Sequence, residues 1–357
     1  MDIEALLDNL NVRAIHKLSP HFTARRSASQ DFPQGYLSEI NDYSLSLNGE
    51  WSFHWSPDLH HLPGGFEMPA YDHSGWDKIT LPATFEMKGY GTPIYRNCGW
   101  TFYINPPKVS GVPSEKYTSF KERNPTGSCW RTFQLPIDWS GQRIFLRTGG
   151  VQSAFCVWIN GTFAGYSEDS ASIAEFDITE LLTMGENSIA LQVYKYCSGS
   201  YLEDQDCWRF SGIFRQIELV ALNPCHIADC VLTADPESGT IRTQVALSRD
   251  DNVTLELRCN GLTSGETSEI DLSLPLPEFE LWSSEKPVLY PVTLILRQAG
   301  KICDIRHFRA GFRSIAIRDR QFFLNGVSIK LKGINSHEIH HAVGRALTRE
   351  IMEQDIR

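Results

Sequence analysis

The 357-residue sequence has no apolar run long enough to cross a bilayer. Its N-terminus, Met-Asp-Ile-Glu-Ala-Leu-Leu, begins acidic and lacks the apolar stretch of an export signal. Neither a membrane anchor nor a secretory leader is expected, and the reading is a cytoplasmic protein. There is also no basic block: the formal net charge is -10, so nothing is suited to releasing counterions from nucleic acid, and a neutral partner fits better. No Cys-x-x-Cys pair occurs among the nine cysteines, which argues against a zinc ribbon and for free thiols in a reducing compartment. A Gly-rich phosphate loop, a Gly-x-Ser-x-Gly elbow and an internal repeat are all missing.

What is present is a globular composition, 41% hydrophobic with many aromatics, in a chain long enough for two or three domains. Residues 1–44 show mixed charge and read as an arm, with Ile3, Leu6, Leu7 and Leu10 as one or two helical turns. From Leu45 short β-like runs begin. Trp51, Phe53 and Trp55 alternate onto one face, and Phe155, Val157 and Ile159 do the same before Asn160-Gly161, a hairpin signal. The stretch 108–123 reads as an exposed polar excursion, Phe176–Leu182 as a short turn of helix, and Ile189, Leu191 and Val193 as the inward face of a strand. Strands at this spacing make a β-sandwich over 45–222. Beyond Asn223 the aromatics thin out, and alternating runs near Val253 and Val292 imply a second, immunoglobulin-like sandwich over 223–312. Residues 313–357 hold a hairpin at Asn325-Gly326, an expected strand over Ile329–Asn335 and a helix capped by Thr348, which reads as the first unit of a larger α/β structure.

Two constellations carry chemistry. The stretch Gly199 to Arg215 sets Glu203, Asp204 and Asp206 beside Trp208, Arg209 and Phe210, and reads as a loop on a β scaffold. Carboxylates accept hydrogen bonds from hydroxyls or hold a cation, while an indole covers the apolar face of a sugar. The alternative is a solvated acidic turn with core aromatics. The second is His337-Glu338-Ile339-His340-His341, which lacks the i, i+4 helical spacing of a zinc protease. At the carboxyl end of a barrel strand such a histidine faces substrate; otherwise it is an exposed His-rich loop. Asn97, beside Cys98-Gly99-Trp100, is a further candidate ligand contact.

The motifs Asn48-Gly49-Glu50-Trp51, Pro93-Ile94-Tyr95-Arg96-Asn97, Asn124-Pro125-Thr126-Gly127, Glu203-Asp-Gln-Asp206 with Trp208-Arg209, Gly311-Phe312-Arg313 and Gly333-Ile334-Asn335 with His337-Glu338 stand in the order seen in β-galactosidases of glycoside hydrolase family 2. The chain resembles that family from about Leu45 onward. The resemblance implies a jelly-roll sugar-binding domain, then an immunoglobulin-like domain, then the start of a TIM barrel. It implies hydrolysis of terminal β-D-galactosides such as lactose with retention. Asn97 would contact galactose, Asp206 would contact galactose and ligate sodium, and His337 would stabilise the transition state. Retaining hydrolysis needs two carboxylates, which in the family come from later barrel strands, as do the magnesium ligands. The expectation is therefore a chain inactive alone that forms a homo-oligomer or complements a partner carrying the barrel. A non-catalytic carbohydrate-binding subunit is the alternative. The sister activities, β-glucuronidase and β-mannosidase, rank lower; the first calls for cations facing a substrate carboxylate, whereas this loop presents acids. Three departures stand out: a short path from Leu262 to Trp282, the long excursion at 108–123, and Ser336 where the family commonly has arginine.

Overall fold

The computed structural model describes residues 2–22, 25–33, 43–112, 115 and 121–357. Residues 113, 114 and 116–120 of the excursion at 108–123, and part of the arm, lie outside the described residues. Two sandwiches dominate, each built by the period-two alternation that lets one face of a strand be buried. In the first, a seven-stranded antiparallel sheet runs Ala14–Ile15, Thr162–Ser167, Ala154–Ile159, Gly185–Tyr194, Thr126–Leu135, Gly49–Ser56, Asp77–Leu81. It packs on the four-stranded sheet Ala174–Asp177, Arg143–Thr148, Ile217–Leu222, Ser44–Ser46. Between them Trp51, Phe53, Phe155, Ile189 and Leu191 meet Leu146, Phe176 and Leu219 in one buried core. The turn at Asn160-Gly161 has positive φ at both residues, 51° and 80°, the mirror-image turn whose twist matches a hairpin.

The strand Gly185–Tyr194 is buried on both faces rather than one. Its second face, with Tyr194, Tyr166, Phe102 and Leu7, forms a satellite core under the helix Ile3–Leu7. The described arm residues thus belong to the sandwiches: Ala14–Ile15 extends the large sheet, and Arg25–Arg26 pairs with Arg306 and His307 of the second sandwich. Phe176 differs from its expected helical turn. It is fully buried in a strand opposite Leu146, and only Thr179–Leu181 form a 3-10 turn, because a core position on the sheet outweighs a weak local preference.

The second sandwich packs Ile227–Asp235, Thr240–Leu247 and Asp271–Pro275 against a five-stranded sheet centred on Tyr290–Gln298. Leu257, Val292, Leu294, Leu296 and Phe312 fill it. Each sandwich carries buried ion pairs of its own, Arg147 with Glu175 at 2.7 Å and Glu218 at 3.3 Å in the first and Arg306 with Asp304 at 2.9 Å in the second, and the Phe145 ring meets His226 edge-on at 5.9 Å across the junction. Burial there pushes His226 down to about 4.

After a three-stranded meander, Ile315–Arg318, Gln321–Leu324, Val327–Ile329, the expected strand Ile329–Asn335 is not formed. Residues 330–339 carry no regular structure, and Leu331 and Ile334 are 81% and 93% exposed. A parallel barrel strand takes its backbone partners from neighbours on either side, and the described residues place none there. The helix Arg349–Ile356 does form, with Thr348 Oγ1 accepting from Ile351 N at 3.4 Å. No helix among the described residues is long and apolar enough to cross a membrane.

Candidate functional site

The stretch expected as one loop is a helix Ser200–Glu203 followed by two short strands, Cys207–Arg209 and Gly212–Ile213. Cys207–Arg209 pairs antiparallel with Ile94–Arg96, so Trp208 lies opposite Tyr95. This ladder was hidden in the sequence because each strand is three residues long, and the two are over a hundred positions apart. Tyr95 contacts both Asp206 and Trp208 on one side of this ladder, and Phe210 lies against Trp208. Trp208 stacks on Phe210 at 5.8 Å and 9°, and Tyr95 tilts against Trp208 at 5.7 Å. Tyr95 and Trp208 stay 52% and 38% exposed, an aromatic platform open to solvent.

The three carboxylates of the stretch have three different environments. Glu203 accepts from Ser170 N at 3.0 Å and from Ser170 Oγ at 2.5 Å, tying the helix to the next loop. Asp204 is buried, 3.8 Å from Arg209; burial pushes its carboxyl up to about 7 even though the arginine pulls the other way. Arg209 itself donates to Cys207 O at 2.6 Å and Gly99 O at 3.1 Å, holding the platform's base. Only Asp206 is exposed, at a left-handed φ of 35°. Its Oδ1 accepts from Tyr95 Oη at 2.6 Å, which raises the phenol's pKa.

Beneath the platform lies a buried ion pair that sequence reasoning missed. Lys195 Nζ donates to Glu86 Oε1 at 2.7 Å and to Thr92 O at 3.3 Å, and Glu86 also accepts from Ser211 N and Oγ, each at 2.9 Å. Burial opposes the charge on Lys195, yet Tyr196 and Glu86 outweigh it and hold the ammonium above its ordinary range. Glu86 and Lys195 are 109 positions apart, and no local pattern marks the pairing.

A cleft of about 270 Å³ opens beside the platform, lined by Cys207, Trp208, Ser336, His337, Glu338, Ile339 and Arg345. It brings His337 to Trp208. Asn97 and Asp206 do not line it; both are exposed, each immediately beyond the last paired residue, Arg96 and Cys207, of the ladder. Glu338 reaches Arg215 at 3.7 Å with both side chains exposed. The His340 and His341 rings lie 4.2 Å apart. Among the described residues no three His, Cys, Asp or Glu side chains come together as a metal site. For a hard cation such as sodium, Asp206 offers one carboxylate of suitable chemistry, so further oxygens must come from ligand, water or another segment. For magnesium the described residues provide no ligand set.

A larger depression of about 560 Å³ lies between the N-terminal helix and Pro107-Lys108. Its central acid, Asp8, is already spent on Val109 N at 2.7 Å and on Ser110 Oγ, and it has no aromatic surface for a sugar.

Comparison with known proteins agrees with this architecture. Residues 45–223 match the sugar-binding domain of glycosyl hydrolases family 2, residues 225–313 a second domain of that family, and residues 315–357 its TIM barrel domain. The β-galactosidase of Priestia megaterium is 34% identical over 88% of this chain and 32% of its own length. That of Halalkalibacterium halodurans is 32% identical over 98% of this chain and 35% of its own. A protein of Latilactobacillus sakei named β-galactosidase large subunit is 34% identical over 88% of this chain and 53% of its own. The chain thus spans between about a third and a half of the length of these curated relatives. Among solved structures, a Ruminococcus gnavus β-glucuronidase superposes with a TM-score of 0.68 at 18% identity, covering 91% of this chain and 55% of that one. A β-glucuronidase from an uncultured Clostridium gives 0.66, also at 18% identity, over 90% and 54%; at this identity both establish the fold alone. With half of its residues matched by the sugar-binding domain and most of the remainder by the two later domains, the chain belongs to glycosyl hydrolases family 2.

Proposed function

We propose that the chain forms the galactose-binding wall of a cytoplasmic retaining β-galactosidase acting on terminal non-reducing β-D-galactosides such as lactose. The observation that carries this reading is the exposed ladder end where Asp206, steadied by Tyr95, stands beside the Trp208 platform, with His337 across the adjoining cleft. A galactoside lays its apolar face on an indole and directs hydroxyls to nearby acceptors. Asp206 accepts such hydroxyls and supplies one oxygen to a sodium ion. Asn97, with both a donor and an acceptor, orients a neighbouring hydroxyl. His337 donates to a ring hydroxyl, a contact that strengthens as positive charge develops on the sugar in the transition state. Acid/base and nucleophile carboxylates, about 5 to 5.5 Å apart in a retaining enzyme, and the magnesium ligands of the complete enzyme, belong to the rest of the barrel.

A second reading is favoured by the relative whose name marks it as a large subunit: the chain is a carbohydrate-binding or complementing subunit that assembles with a barrel-bearing chain or in a homo-oligomer. One experiment tests both. Nitrophenol release from nitrophenyl β-galactoside is measured for this chain with and without a separately expressed barrel fragment, in sodium and magnesium. The expected result is no turnover alone and activity in the mixture. Turnover by the chain alone contradicts both readings.

A further inference from the structure

The segment that presents His337 has no backbone ladder of its own, since residues 330–339 lack regular structure and Ser336, His337 and Glu338 are exposed. Its place beside the platform is fixed instead by residues 340–345. His340 and Gly344 close a tight turn, with His340 N donating to Gly344 O at 2.9 Å and Gly344 N to His340 O at 2.8 Å. Gly344 is buried at a φ of 60°, and a Cβ there would stand 2.8 Å from Thr84 Oγ1 and 2.9 Å from Met87 Cγ, so glycine lets the turn touch the sandwich. The next residue is the one arginine among the cleft's lining residues. Arg345 N donates to Thr84 Oγ1 at 3.0 Å, Nη1 donates to Gln152 Oε1 at 2.8 Å, and the guanidinium lies 5.1 Å from the Phe214 ring centre. Thr84 and Gln152 both pair with Gly212 in one three-stranded sheet, and Phe214 lies just beyond it. All three contacts therefore end on one small, buried piece of the first sandwich.

We infer that Arg345 is a positioning residue, clamping the His340–Gly344 turn to the sandwich and so holding His337 in the cleft it shares with Trp208. The inference rests on the reading of this cleft as the galactoside site. Among the described residues the other side-chain tie, Glu338 to Arg215 at 3.7 Å, joins two exposed groups and is weak. Lysine cannot take over in full, because a flat guanidinium covers the Phe214 ring while reaching Gln152, whereas an ammonium is a single point charge.

The test labels the full chain with 5-fluorotryptophan and assigns the Trp208 resonance by its loss in Trp208→Phe. His337→Ala shifts that resonance when Arg345 is present and leaves it unmoved in an Arg345→Gln background. Equal shifts in both backgrounds overturn the inference, and so does the absence of any shift. If Arg345→Gln does not fold, Arg345→Lys carries the same cycle with a reduced difference. In a second arm, isopropyl thio-β-galactoside binds the parent chain, about tenfold more weakly the Arg345→Gln chain, and with intermediate affinity the Arg345→Lys chain; unchanged affinity in Arg345→Gln overturns the clamp. No binding by the parent chain contradicts the galactoside reading instead, and the fluorine cycle alone then decides the role of Arg345.

Discussion

The rim and the floor of the candidate site use the same kinds of residue for opposite ends. At the floor, Glu86, Lys195 and Ser211 are buried and satisfy one another at 2.7 and 2.9 Å, with Asp204 and Arg209 alongside. At the rim, Asp206 is exposed, with Tyr95 as its intramolecular donor. Desolvation makes the floor's charges dependent on their partners, so they fix the shape of the platform. The rim's charge stays open to solvent. Three carboxylates within four residues of sequence, Glu203, Asp204 and Asp206, are divided between these uses by burial alone.

That contrast is broken most sharply at the floor. Lys195→Met leaves Glu86 buried without its cation and is expected to cost about 3–5 kcal/mol of stability, seen as a lowered urea midpoint. A midpoint within experimental scatter of the parent removes the floor from the account. A smaller effect, and one with a direction in pH, belongs to Asp204. Its folded-state carboxyl is raised to about 7, above the value near 4 of an unfolded chain. Its favourable contribution is therefore whole below pH 4 and is lost as pH rises toward 7. Relative to the parent, Asp204→Asn should gain stability between pH 4 and pH 8, on the order of 4 kcal/mol at most. A difference that is flat with pH contradicts the burial argument. At the rim, Asp206→Asn is expected to change stability by less than about 0.5 kcal/mol, as an exposed substitution does.

How far the sequence revealed this layout depended on the range of the signal. Asn160-Gly161 and Asn325-Gly326 announced their hairpins because positive φ at two successive residues is a local demand that few residue pairs meet. Alternation at Trp51 and Phe53 announced a buried strand face for the same local reason. Phe176 and the strand Ile329–Asn335 misled, the first because a core position overrode the local pattern, the second because a strand exists only beside another strand. Within the site, Asp206 and His337 were visible as residue types in unusual company. The division of labour between Asp204 and Asp206 was not, since contacts rather than a local pattern set it: Asp204 is buried against Arg209, and Asp206 stands exposed beside Tyr95, 111 positions away. Nor was Arg345, whose partner Gln152 is 193 positions away.

The central claim is that the rim binds a galactoside through Asp206 with the help of sodium. The most direct measurement titrates isopropyl thio-β-galactoside into the full chain while following the Trp208 fluorine resonance, in sodium and then in potassium, for the parent and for Asp206→Asn. The account predicts saturable binding in sodium, weaker binding in potassium, and loss of binding in Asp206→Asn at an unchanged melting temperature. Equal binding by the parent and by Asp206→Asn would contradict it.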